Sequence, residues 1–256
     1  MKRVLVTRPA AQNQALLAEL EKAGFEPVAL PLLEIITYQT AQHAAQCIAI
    51  EQCVSHLADV QHIVFVSTNA VHCAFHWIKQ HYTHIPQHIR WYPIGDATAK
   101  ALAQYVALPE TAGVDMDSET LLDNPHLQQL KGQQVVIFRG QGGRQYLFEN
   151  LTARGAHVSF CEVYQRQFVR YPIGTLQQHL AQKIDFLQAT STETIQALLE
   201  QAIIESIRQQ VVSIPLIVPG QRVTQFAKAQ GFTQVLTSAN AGLTATMDVI
   251  KNHNNC

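Results

Sequence analysis

The feature that most limits what this chain can fold into is an internal repeat. "VLVTRPAAQNQALLAELEKAGFEPVALPLLE" (Val4–Glu34) lies without a gap over "VVIFRGQGGRQYLFENLTARGAHVSFCEVYQ" (Val135–Gln165). Val4 meets Val135, Arg8 meets Arg139, Leu20 meets Leu151 and Gly24 meets Gly155. Each copy reads as strand, turn, amphipathic helix, a glycine at the helix C-terminus, then a second strand. A second match follows at a different offset: "FVSTNAVHCAF" (Phe65–Phe75) on "ATSTETIQALL" (Ala189–Leu199), then "WYPIGDATAKALAQ" (Trp91–Gln104) on "PLIVPGQRVTQFAK" (Pro215–Lys228). The chain is thus two tandem β/α copies.

Alternating strands and helices predict an α/β protein with two doubly wound parallel sheets. The length of 256 residues suits two domains that each bury a core. In such sheets ligands bind beyond the strand C-terminal ends. The turns "TRPAAQ", "STNAV", "IGDATA" and "RGQGGR" lie there and are expected to ring a cleft between the domains.

Composition narrows the partners. Hydrophobic residues make up 47% of the chain and charged residues 14%, which describes a globular protein. A net charge of −1 supplies no basic field for nucleic acid or a membrane surface. No apolar run approaches the roughly 18 residues of a membrane-spanning helix. The start "MKRVLVTRPAAQNQ" reads as a strand and not as a signal peptide. Five cysteines (Cys47, Cys53, Cys73, Cys161, Cys256) show no CxxC spacing. A reducing cytoplasm is the expectation.

The glycine turn at Gly140, Gly142 and Gly143 raises nucleotide binding. It is neither GxGxxG nor a P-loop, and the repeat partner at Pro9–Gln12 has no glycine. A turn presenting backbone N–H groups to an anion and a turn needed only for folding both remain open. Ser67, Thr68 and Thr98 stand where a strand passes into a helix. They can serve as helix N-caps, or their hydroxyls and the free N–H groups beside them can receive carboxylates. His72 and His76 share one helix face at i, i+4, but no HExxH completes a metal site, and the segment 76–88 is His-rich without ligand spacing. Tyr164, in "CEVYQRQF", ends a strand between the repeats. It packs across a connection or brings a phenol to the cleft to donate a proton or hydrogen bond.

Taken in order, "VLVTRP", "FVSTNAV", "YPIGDATAKAL", "FRGQGGRQ", "RGAHVSFCEVYQR" and "IVPGQRV" resemble the uroporphyrinogen-III synthase family along essentially the whole chain. The resemblance implies two flavodoxin-like domains joined by a two-stranded linker. Residues 1–33 would join 172–256 in one domain, and 41–161 would form the other. Linker strands would lie near 34–40 and 162–171. Residues alone would instead divide the chain between the tandem copies.

It further implies a cyclising lyase that closes hydroxymethylbilane to uroporphyrinogen III, losing water and inverting ring D through a spiro intermediate. No cofactor or metal is implied. The expected partner is that small-molecule substrate, supplied by the preceding pathway enzyme to a cytoplasmic monomer. Carried over by position, Tyr164 would assist departure of the hydroxyl. Ser67, Thr68, Thr98, Arg8, Arg139, Gly140, Arg144 and Ser191 would bind the eight-carboxylate substrate. Val66 stands where the family motif usually has Thr, and Gln188 interrupts an expected apolar strand.

Overall fold

The computed structural model describes residues 1–38, 41–108 and 117–254. Cys256 lies outside the described residues. In chain order, the first half contributes β1 (Arg3–Val6), α1 (Gln14–Lys22), β2 (Glu26–Ala29), β3 (Leu33–Thr37) and α2 (Ala44–Ser55). It continues with β4 (His62–Phe65), α3 (Thr68–His81), β5 (Arg90–Pro93), α4 (Asp96–Leu102) and the short α5 (Ser118–Leu121). The second half contributes β6 (Gln134–Gly140), α6 (Tyr146–Ala153), β7 (His157–Phe168), α7 (Thr175–Ala181), β8 (Phe186–Gln188) and α8 (Thr192–Ile204). It ends with α9 (Arg208–Ser213), β9 (Leu216–Pro219), α10 (Gly220–Ala229), β10 (Val235–Ser238) and α11 (Leu243–Asn254).

Residue contacts divide the chain into two compact units. Unit 1 is Met1–Glu34 with Gln167–Cys256, and unit 2 is Ile35–Arg166. Both chain crossings fall inside strands, within β3 and within β7. The division does not follow the tandem copies.

Unit 1 holds a sheet in the order β10-β9-β8-β1-β2, parallel throughout. Renumbered within the unit this is 2-1-3-4-5, the flavodoxin order, with its switch point between β1 and β8. The sheet of unit 2 runs β3-β7-β6-β4-β5, with β4 parallel to β5 and β6, and β6 parallel to β7. It has the same inner arrangement, with the switch point between β4 and β6.

The two sheets are built from exchanged halves of the repeat. In unit 1, β1 of the first copy pairs with β8 of the second, Val6 opposite Gln188. In unit 2, β6 of the second copy pairs with β4 of the first, Ile137 opposite Val64. Val6 and Ile137 are repeat equivalents, as are Gln188 and Val64, so the register is identical. The neighbouring ladders agree too: Val6 opposes Ala29 where Ile137 opposes Phe160.

Local chemistry repeats with the register. Gly24 (φ +82°) and Gly155 (φ +88°) close α1 and α6 in the left-handed conformation that glycine adopts without a Cβ penalty. The next residue then bonds back to the helix in both cases, Phe25 N–H to the Leu20 carbonyl and Ala156 N–H to that of Leu151. Strand side chains alternate between the two faces of each sheet. Ile63 and Phe65 enter one core of unit 2 while Val64 enters the other. Leu5 and Leu187 lie on one face of unit 1, Val4, Val6 and Phe186 on the opposite face. Strands covered on both faces read as continuous apolar runs, which is why "VLV" and "VVIF" carry no polar alternation.

Buried polar residues break that apolar rule, His62 and Gln188 among them. His62 on β4 is fully buried, with Nδ1 3.1 Å from the Tyr92 hydroxyl and Nε2 against the Gln133 side-chain carbonyl. Burial lowers its pKa, the Gln133 bond opposes that, and Arg90 and His126 lower it further. The folded value therefore lies below the unfolded one. As pH falls through about 6.5 the unfolded chain takes up a proton that the fold resists, and stability is lost. We expect the melting temperature to drop between pH 7.5 and 5.5, and His62→Gln to reduce that drop in matched thermal melts.

Candidate active site

Each switch point is flanked by two turns, and the repeat places an arginine at one and a serine N-cap at the other. Ser67 follows β4 in extended backbone (φ −165°, ψ 159°), and its Oγ accepts from Ala70 N–H at 3.1 Å. Ser191 follows β8 in the same conformation (φ −155°, ψ 166°) and accepts from Thr194 N–H at 3.2 Å. An N-cap of this kind contributes about 1 kcal/mol and sets the aim of the hydroxyl. Thr68 is the first residue of α3 and is half-buried.

Opposite Ser67, β7 brings Tyr164 alongside the end of β6. The ladder pairs Arg139 with Glu162 but Gly140 with Tyr164, so Val163 is an extra residue on β7. Such a bulge re-aims the side chain that follows it. Tyr164 accordingly lies 2% exposed against the unit 2 core, with its hydroxyl 3.1 Å from Ser67 Oγ. Gly140 makes this seat possible. A Cβ there would stand 2.6 Å from Cε2 and Cζ of the Tyr164 ring. The phenol thus packs against the unit 2 core, with the half-buried Ser67 at its hydroxyl.

The glycine turn beyond β6 is braced from within. Gly142 N–H donates to Glu162 Oε1 at 2.9 Å, and Gln141 N–H donates to the Tyr164 carbonyl at 2.7 Å. The Tyr38 hydroxyl donates to Gln141 Oε1 at 3.3 Å. Arg139 is buried, with Nε donating to the Gly140 carbonyl (3.2 Å) and Nη1 to the Arg144 carbonyl (3.1 Å). Its guanidinium lies 4.4 Å over Phe160. Burial lowers the Arg139 pKa, and the nearby Glu162 carboxylate opposes that shift. Arg144 is exposed, its Nη1 3.5 Å from Glu119.

In unit 1 the equivalent arginine is also turned inward. Arg8 is 8% exposed and donates from Nη2 to Thr246 Oγ1 at 3.0 Å. With its amide oxygen facing Arg8, Gln188 accepts from Nε at 3.1 Å and Nη2 at 3.3 Å. Burial pushes the Arg8 pKa down to about 10, which leaves it charged at neutral pH. Gln188, out of place in an apolar strand, is therefore the partner of a buried cation. Asn13 is buried beside it, its amide N–H donating to the Arg8 carbonyl.

Thr98 is 4% exposed in the first turn of α4, after Gly95. The structure thus brings Ser67, Thr68, Gly140 and Tyr164 together at one switch point, with Arg139 and Arg144 holding or flanking the adjoining turn. Thr98 follows the edge strand β5, while Arg8 and Ser191 belong to unit 1. Residue patterns alone passed over Glu162, Gln188 and Tyr38. Glu162 falls on the "CEVY" strand next to the glycine turn, and Gln188 betrays itself as a polar break opposite Arg8. Tyr38 leaves no such sign. The His72 ring hydrogen-bonds to the Tyr105 hydroxyl, 3.1 Å from Nδ1. Among the described residues no group of three or more His, Cys, Asp or Glu side chains is placed to hold a metal ion.

Comparison with known proteins is consistent along the chain. Residues 14–247 match the family model described as uroporphyrinogen-III synthase HemD. The uroporphyrinogen-III synthase of Salmonella typhimurium is 30% identical over 241 residues, covering 93% of this chain and 95% of that protein. That of Escherichia coli is 30% identical over 244 residues with the same coverage. Among solved structures, a mutant uroporphyrinogen III synthase from Thermus thermophilus superposes with a TM-score of 0.68 at 19% identity, covering 100% of this chain and 99% of that one. The Helicobacter pylori uroporphyrinogen-III synthetase gives 0.58 at 17% identity, covering 99% and 100%. At these identities the two structures speak for the fold.

The seat at Gly140 can be tested directly. Gly140→Ala should destabilise the fold by about 1–3 kcal/mol through overpacking against Tyr164. Urea unfolding measures it, and a variant as stable as the parent would mean that the ring has room to move.

Proposed function

We propose, from the premise that this chain belongs to the uroporphyrinogen-III synthase HemD family, that the Tyr164–Ser67 pair of unit 2 carries its chemistry. The chain is an enzyme of the lyase class. It closes the linear tetrapyrrole hydroxymethylbilane to uroporphyrinogen III, losing water and inverting ring D through a spiro intermediate. The observation that carries the site reading is the buried phenol of Tyr164 on β7, held 3.1 Å from Ser67 Oγ beside the C-terminal end of β6 at a flavodoxin-type switch point.

The hydroxyl on the substrate is a poor leaving group until it is protonated or hydrogen-bonded. The electron-rich pyrrole beside it pushes as the C–O bond breaks. Tyr164 assists that departure. The protein's larger task is to hold the flexible chain where the spiro route is favoured over direct closure.

Carboxylates of the substrate meet Thr68 and Ser191 at helix N-termini, where hydroxyls and unpaired N–H groups favour negative charge, while Ser67 meets the substrate from the capped turn beside Tyr164. Arg144, exposed and only loosely tied to Glu119, contributes a direct cationic contact. Arg8, Arg139 and Thr98 act from behind, keeping the turns in shape, and Gly140 provides the seat for the phenol. The glycine turn gives no support to a nucleotide reading, because the Gly142 N–H already serves Glu162.

The same reading includes two domains, 1–33 with 172–256 and 41–161, joined by linker strands near 34–40 and 162–171. The contact boundaries inside β3 and β7 support it. Among the described residues no helix is long and apolar enough to cross a membrane. We place the enzyme in the cytoplasm as a monomer that receives its substrate from the preceding pathway enzyme.

Purified protein added to freshly made hydroxymethylbilane should yield the type III isomer on product analysis. Formation of the type I isomer alone would overturn the assignment. Tyr164→Phe should lower turnover by about 10²–10⁴-fold with an unchanged circular-dichroism spectrum. An undiminished rate would remove Tyr164 from the chemistry.

A further inference from the structure

We infer that Ser67 is the group that touches the departing hydroxyl, and that Tyr164 acts through it as a positioning and proton-relay residue. The inference rests on the reading of Tyr164 given above and deepens it. Its basis is a count of donors and acceptors.

A serine hydroxyl has one proton to donate and two lone pairs to accept with. Ala70 N–H fills one of the Ser67 lone pairs at 3.1 Å. The Tyr164 hydroxyl is the other neighbour, at 3.1 Å. Tyr164 is 2% exposed, and among the described residues Ser67 Oγ is the only hydrogen-bond partner of its hydroxyl. Were Ser67 the donor, the buried phenol proton would have no acceptor among the described residues, a costly arrangement for a desolvated donor. Tyr164 therefore donates.

Both lone pairs of Ser67 are then filled, and its own proton has no acceptor among the described residues. Ser67 is half-buried, whereas the phenol behind it is closed off. The outermost acid of the pair is thus the serine O–H. Donation from the phenol and from the helix N–H strengthens it as a donor, because bonds in such a chain polarise one another.

The Ser67 proton passes to the hydroxyl oxygen of the substrate as its C–O bond breaks. The electron pair leaves with that oxygen, as water. The pyrrole nitrogen lone pair supplies the electrons that replace the lost bond. The Tyr164 proton moves to Ser67 and leaves a phenolate. That phenolate is reprotonated, back through Ser67, by the proton that the terminal pyrrole carbon gives up when the ring closes. Nothing is oxidised or reduced.

The test is a double-mutant cycle. Ser67→Gly removes the hydroxyl while placing at the N-cap a residue that helices accept there. Turnover of Ser67→Gly should fall by about 10²–10⁴-fold, like that of Tyr164→Phe, with the loss in kcat and not in KM. The double variant should be no slower than the slower single one, because the two residues form one path. Ser67→Thr, which restores hydroxyl and cap, should recover most of the rate.

A Ser67→Gly enzyme within about threefold of wild type beside a crippled Tyr164→Phe would overturn the relay while leaving Tyr164 in the chemistry. So would a double variant whose loss is the product of the two single losses. An unimpaired Tyr164→Phe would instead bring down the reading of Tyr164 itself. Melting temperatures of all variants separate these results from simple unfolding.

Discussion

The two backbone ladders that join β1 to β8 and β4 to β6 are the interactions on which everything else depends. Each ties the opening strand of one repeat copy to a strand from the later half of the other. Each also creates a switch point, since it sets two strand ends side by side whose following helices leave on opposite faces. The identical register carries chemistry with it. It puts an arginine on one side of each switch point and a serine-capped helix on the other. A slip of one residue in either ladder would turn Val4, Leu5 and Val6, or their counterparts, toward the wrong core.

On that shared scaffold the two units differ by small steric choices. In unit 2 a one-residue bulge and the absence of a Cβ at Gly140 admit a tyrosine ring beneath the serine. In unit 1 the repeat equivalent of Tyr164 is Leu33 and that of Gly140 is Pro9. There the buried arginine is answered by Gln188 and Thr246 instead. One switch point thus holds a proton-bearing pair and the other a cation held in a polar bracket.

Much of this was legible in the sequence, and the limits were physical. The repeat was readable because register, helix-ending glycines and N-cap serines are local and leave signatures. The doubly wound class followed from the alternation of strand and helix. The exchange of halves was not readable from residues alone, because backbone ladders ignore side-chain identity. Pairing "VLV" with "FLQ" or with another apolar strand buries much the same surface. Gln188 looked like a flaw in its strand because its partner, Arg8, lies at the far end of the sequence. The bulge at Val163 left no mark apart from two adjacent apolar residues, so the sequence did not decide between packing across the connection and reaching the cleft for Tyr164. Glu162 is one polar residue within the strand-like run "HVSFCEV", and its tie to the Gly142 N–H depends on a turn twenty residues away.

The exchange of halves also sets an order of events during synthesis. Residues 35–166 are contiguous, so unit 2 can close once that stretch has emerged, in keeping with domain-wise folding from the ribosome. The segment β1-α1-β2, made before unit 2, has no such freedom. Its main partner strand, β8, begins only at Phe186. Until then β1 offers a bare apolar edge, a template for the wrong strand as much as for the right one. The segment β1-α1-β2 thus waits through the synthesis of all of unit 2, and that long search for β8 is where the young chain is most open to mispairing.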